Sequence, residues 1–115
     1  DSGFVMIHDA RMMEYGTADD FRRAADLLER TTDRITQKYV ARTKNDAAKI
    51  RDWMKAETWF VGKEAVDNGF ADKVVENLKV AAVVTRPDLY KNVPKALLPR
   101  RAAAVARLEA LRVPV

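Results

Sequence analysis

The chain has 115 residues, 48% of them hydrophobic and 33% charged, and a net charge of +4. That is enough to bury one core, near the lower end of self-sufficient size, and too apolar for a disordered segment. The absence of cysteine excludes a disulfide framework and thiolate chemistry, and one histidine without cysteine argues against a dedicated transition-metal site; no cofactor is implied.

No stretch approaches the roughly 20 apolar residues of a membrane span, and DSGFVMIH lacks the basic leader and long apolar core of a signal peptide, so a cytoplasmic protein is expected. Asp1 stands where a natural start has Met and enters an apolar run almost at once, which suggests a fragment or a processed product.

Phe4 to His8 is short and apolar and predicts a buried strand, and Met12 to Tyr15 extends into a second strand before Gly16 breaks the run. Thr17 with Asp20 three positions on resembles a capping box, and Asp19 and Asp20 suit the positive end of a helix dipole. Phe21, Ala25, Leu28, Thr32, Ile35 and Tyr39 alternate steps of four and three, one stripe of a helix running to about Arg42. At roughly 35 Å it is longer than a small domain can cover, so it should project or pack on another subunit.

Asn45 predicts the N-cap of a second helix with Ala47, Ile50, Trp53 and Met54 on its inner face. ETWFV reads as a brief extended segment, GKEAVDNG as a two-turn helix ended by Gly69, and FADKVV as a closing strand. Val61 stands where Ser or Thr caps such a helix, at a cost of about 1 kcal/mol. Beyond residue 77, LKVAAVV suggests a strand, TRPDLYKNVP is turn-rich, and an alanine-rich basic helix starts near Pro99. Residues 77–115 carry eight basic side chains against two acidic, so this extension holds +6 of charge and the rest −2. Such a tail is most often a solvated face; as a binding surface it favours a protein over nucleic acid, because Tyr90 is its one aromatic.

VMIHDA resembles the MIH strand end of Clp-type proteolytic subunits, whose histidine is the general base of a Ser-His-Asp triad. The likeness runs from Phe4 to Val75, through Gly16, Ala18 and Asp20, the long helix, and AETWFVGKEAVDNGFADKVV. Its AETW, EAV and GFAD elements are most similar to Clp-like head maturation proteases of tailed phages. EAVDNGFADKVV is also shared with crotonase-fold enzymes acting on acyl-CoA.

The resemblance implies an α/β, ClpP/crotonase-like fold, of which this chain is the C-terminal half: short strands, a long handle helix, two shorter helices and a basic C-terminal helix. Residues 1–76 would be protease domain and 77–115 a basic extension.

Matched without a gap, the triad acid falls on Glu57, 49 positions after His8. An imidazole in reach of a serine takes its proton and returns it to the leaving amine, and a carboxylate on the other ring nitrogen fixes the tautomer. Asp52 and Asp9 are the fallback orienters. Taken alone, His8 would read as an imidazole bonded to a backbone carbonyl, and Glu57 as a surface carboxylate; the flanking likeness turns both toward catalysis.

In the family the segment after the histidine pairs with extended substrate, which assigns Arg11, Met12 and Met13 to substrate binding. The helix over residues 18–42 resembles the handle through which subunit rings dock, and implies a homo-oligomer. Lys55 and Ala56 replace the residues that report docking in double-ring relatives.

The family's nucleophile lies before the histidine in a glycine-flanked turn, and Ser2, the one serine, has no route to substrate. The expected function is therefore a serine endopeptidase lacking its nucleophile and inactive alone, with capsid or scaffold proteins as substrates and partners. A non-catalytic assembly module and an acyl-CoA enzyme are the alternatives.

Overall fold

The computed structural model describes residues 3–75 and 83–99. In chain order these form β1 (Phe4–Ile7), α1 (Ala18–Thr43), α2 (Ala47–Ala56), β2 (Thr58–Val61) and α3 (Gly62–Asp67), then 3₁₀ turns at Pro87–Leu89 and Lys95–Leu97. The architecture is α/β.

β1 and β2 pair antiparallel in the register Phe4↔Val61, Val5↔Phe60, Met6↔Trp59, Ile7↔Thr58. Because side chains alternate along a strand, Val5, Ile7, Thr58 and Phe60 share one face and Met6 and Trp59 the other. The first face meets the core: Ile7, Ile50, Met54, Phe60 and Ala65 are buried, with Ile35, Tyr39, Val40, Trp53 and Phe70 packed around them. Edge-to-face rings of Trp53 with Phe60 (5.1 Å) and Tyr39 with Phe70 (5.4 Å) close the cluster. Burial there raises the Tyr39 hydroxyl above its ordinary pKa.

α1 starts as the sequence predicts. The Thr17 hydroxyl accepts the Asp20 N–H (3.3 Å) and Asp20 Oδ2 accepts the Thr17 N–H (2.8 Å). Its buried line is Ala24, Thr32 and Thr36, while Phe21 is 52% exposed. Only the C-terminal half of the predicted stripe is covered, because a helix of about 39 Å packs on α2, about 15 Å long. The N-cap of α2 is Asp46, one residue past the predicted Asn45. Asn45 instead donates from Nδ2 to the Asn68 carbonyl (2.8 Å), tying the α1–α2 turn to the end of α3. Glu64 accepts the Val61 N–H (3.1 Å), a half capping box that valine cannot reciprocate. Gly69 ends α3 at φ 84°, where a Cβ would stand 2.9 Å from the Thr43 Cα.

Two expected strands are absent. Met12 to Tyr15 is an exposed irregular segment. FADKVV does not join the sheet, since the Phe70 and Ala71 amides both donate to the Ala65 carbonyl (2.8 and 3.2 Å) and are spent closing α3. Of LKVAAVV only Val83 and Val84 are described, and neither is in a strand. The basic helix expected after Pro99 lies outside the described residues, as does Ser2. Among the described residues no helix is long and apolar enough to cross a membrane.

Candidate active site

His8 and Glu57 each stand one step beyond the last register pair, Ile7↔Thr58, so the sheet delivers their main chains to the same end of the two strands. His8 is half-buried. Its Nδ1 lies 2.7 Å from the Asp9 carbonyl oxygen. A carbonyl only accepts, so Nδ1 is the protonated nitrogen in this contact, which in the neutral ring leaves the lone pair on Nε2. The following turn is pinned to α1 by the Ala10 N–H, which donates to Thr32 Oγ1 (3.0 Å).

Glu57 follows α2 as a left-handed cap, φ 54° and ψ 62°, with its N–H donating to the Met54 carbonyl. Its side chain is 6% exposed and pairs with the Arg11 guanidinium. The second carboxylate oxygen accepts the Lys91 N–H at 2.7 Å. No hydrogen bond joins His8 to Glu57 among the described residues, where the histidine's ring proton goes to Asp9. Asp9 contributes its carbonyl and not its carboxylate, whose Oδ1 is enclosed without a partner among the described residues. Asp52 is exposed on α2.

Arg11 organises the surroundings. One of its nitrogens donates to the Leu89 carbonyl (2.6 Å), and its guanidinium carbon sits 5.4 Å from the centre of the Tyr90 ring. Met12 and Met13 do not share its contacts, being 41% and 100% exposed. Segment 86–92 is held further by the Trp59 indole N–H, which donates to the Lys91 carbonyl (2.9 Å), and by Asn92 Nδ2, which donates to the Ala56 carbonyl (3.0 Å). Two cavities flank this segment. One of about 340 Å³ is lined by Asp9, Arg11, Glu57, Tyr90 and Lys91. The other, about 510 Å³, is lined by Met6, His8, Trp59, Val84 and Tyr90. Tyr90 and Leu89 line both.

Three contributors were missed by sequence reasoning. Thr32 was assigned to an apolar stripe, yet its hydroxyl holds the turn after His8; a threonine among apolar stripe positions was the available signal. The Lys91 amide and the Trp59 indole carried no signal, because main-chain contacts across this distance leave no pattern in side-chain type. Among the described residues no group of three His, Cys, Asp or Glu side chains is placed to hold a metal ion.

No curated protein matches the chain. A model of the Clp protease family matches residues 2–78, a span that holds β1, β2, α1, α2, α3, His8 and Glu57 and stops short of segment 86–92. With two-thirds of its length in that match, the chain belongs to the Clp protease family.

Proposed function

We propose that the chain is the base-bearing part of a Clp-type serine endopeptidase of ClpP/crotonase-like fold, with residues 1–76 as protease domain and 77–115 as a basic extension. His8 is the general base and acid, and Glu57 orients and charges its imidazole. The serine is contributed by protein sequence outside these 115 residues. Its hydroxyl proton passes to His8 Nε2 as Oγ attacks the scissile carbonyl carbon. The same proton then goes to the leaving amine as the C–N bond breaks; water, deprotonated by the same nitrogen, attacks the acyl carbon, and the proton passes to serine Oγ as the ester C–O bond breaks.

The observation that carries this reading is the β1–β2 register, which brings the main chains of His8 and Glu57 together although they lie 49 positions apart. The Nδ1–H tautomer adds support, since a general base needs its lone pair on Nε2. Arg11, bonded to Glu57 and Leu89, and Met12 and Met13, exposed beside the histidine turn, remain the proposed substrate contacts. Capsid or scaffold proteins are the proposed substrates. The helix over residues 18–42, on which Phe21 is 52% exposed, is the proposed contact between copies.

The test is fluorophosphonate labelling of the full-length protein. A labelled serine, lost or slowed at least about a hundredfold in His8→Ala, is expected. Undiminished labelling would remove His8 from the mechanism. A second reading, a non-catalytic assembly subunit, is favoured by one observation: the Glu57 carboxylate is bonded to Arg11 and Lys91 and not to the imidazole. It predicts no labelling at all.

A further inference from the structure

We propose that the segment from Arg86 to Asn92 is a latch that holds Glu57 away from His8 and is displaced by the main chain of an extended peptide substrate. This rests on the serine peptidase reading, and the segment lies beyond the residues 2–78 matched to the family.

The latch grips by its backbone. Tyr90 is extended, φ −129° and ψ 146°. The peptide units on either side of Lys91 are bonded on both sides, the N–H to Glu57 Oε2 (2.7 Å) and the carbonyl from the Trp59 indole (2.9 Å). Leu89 accepts from Arg11, and Asn92, at φ 57°, turns the chain and donates to Ala56. An extended peptide offers the same amide groups, so it competes for the same side chains.

The consequence falls on the catalytic pair. One Glu57 oxygen is paired with Arg11 and the other with the Lys91 N–H, so the carboxylate is held toward the segment from both oxygens. The His8 ring proton is left to the Asp9 carbonyl. Leu89 and Tyr90 stand between the cavity that holds Glu57 and the cavity that holds His8. Withdrawing Lys91 releases the side chain from that position so that Oε2 can turn to Nδ1, while Arg11 keeps the other oxygen and its charge in place.

Two variants of the full-length protein test this. Trp59→Phe with Asn92→Gly keeps the aromatic ring and the left-handed backbone while deleting two donors that hold the segment. Lys91→Pro deletes the N–H given to Glu57, and the extended Tyr90 before it suits a proline. Fluorophosphonate labelling of the serine should accelerate by about tenfold in both, the scale of losing one or two net hydrogen bonds. In the first variant, hydrogen exchange at the Lys91 amide should accelerate as well. Labelling that stays at the wild-type rate or slows overturns the latch and leaves the peptidase reading standing. No labelling of wild type or of either variant overturns both.

Discussion

Arg11 and Glu57 form an ion pair in which the carboxylate is 6% exposed and the guanidinium 43%. The acid is enclosed and the base reaches in from the surface. A carboxylate in that position depends on its donors, because burial without them costs more than the hydrogen bonds return. Arg11→Ala leaves Glu57 with the Lys91 N–H alone and also strips the Leu89 carbonyl of its partner. A loss of about 1–3 kcal/mol in urea unfolding is expected. Arg11→Lys should recover little, since a point ammonium cannot serve the carboxylate, the carbonyl and the Tyr90 face together. Wild-type stability in Arg11→Ala would mean that Glu57 is solvated in solution.

Two methionines predict opposite outcomes from the same substitution. Met54 is fully buried against Ile7 and Ile50, with its sulfur 3.4 Å from Thr36 Oγ1, whereas Met13 is fully exposed. Met54→Ala should cost about 2–5 kcal/mol through the cavity it leaves. Met13→Ala should stay within about 0.5 kcal/mol. A large effect of Met13→Ala on unfolding would show that it is covered in solution by another surface.

What was legible in the sequence is what local physics writes there. The Thr17–Asp20 box, the inner face of α2 at Ile50 and Met54, and the glycine stop at Gly69 depend on residues within one or two turns of each other. The candidate pair rests on a different ground, the family likeness around each residue, to which the structure adds a β1–β2 register that brings the two main chains to one end of the sheet. FADKVV misled because alternating apolar residues specify a strand only if their amides are free, and Ala65 captures two of them. The partnership of Glu57 with Arg11 and with segment 86–92 was illegible, since it joins residues far apart through main-chain groups that every amino acid carries.

The first turn of α1 sets a pH dependence. Hydrogen bonds from the Thr17 backbone and hydroxyl, then from Arg23, hold the Asp20 carboxyl below its ordinary value of 3.8. A carboxyl depressed on folding stabilises the fold above its unfolded value and loses that contribution as pH falls through the folded one. The stabilisation is therefore complete above 3.8 and disappears below it. Asp20→Asn should lower the thermal midpoint near neutral pH, and the gap from wild type should close as the buffer is taken below 3.8. A gap that persists unchanged in acid would assign the effect to side-chain shape instead of charge.

Glu57→Gln separates the two proposed roles of the chain. The amide keeps the volume of the side chain and an oxygen for the Lys91 N–H, but it removes the charge that Arg11 pairs with and that an imidazolium at His8 would need. If Glu57 orients the base, loss of that charge should lower kcat on a protein substrate by about 10³- to 10⁴-fold in the full-length enzyme, with a much smaller change in KM. Glu57→Asp shortens the reach by one methylene, so it should weaken the contact with Lys91 while retaining charge, and lose far less kcat than the amide. Because both variants disturb the same ion pair, a structural role alone would lower stability in each and leave kcat per folded molecule unchanged. Equal kcat for Glu57→Gln and wild type, measured against a folded-fraction control, would assign the carboxylate to architecture and leave His8 to be oriented by the Asp9 carbonyl that holds its proton here.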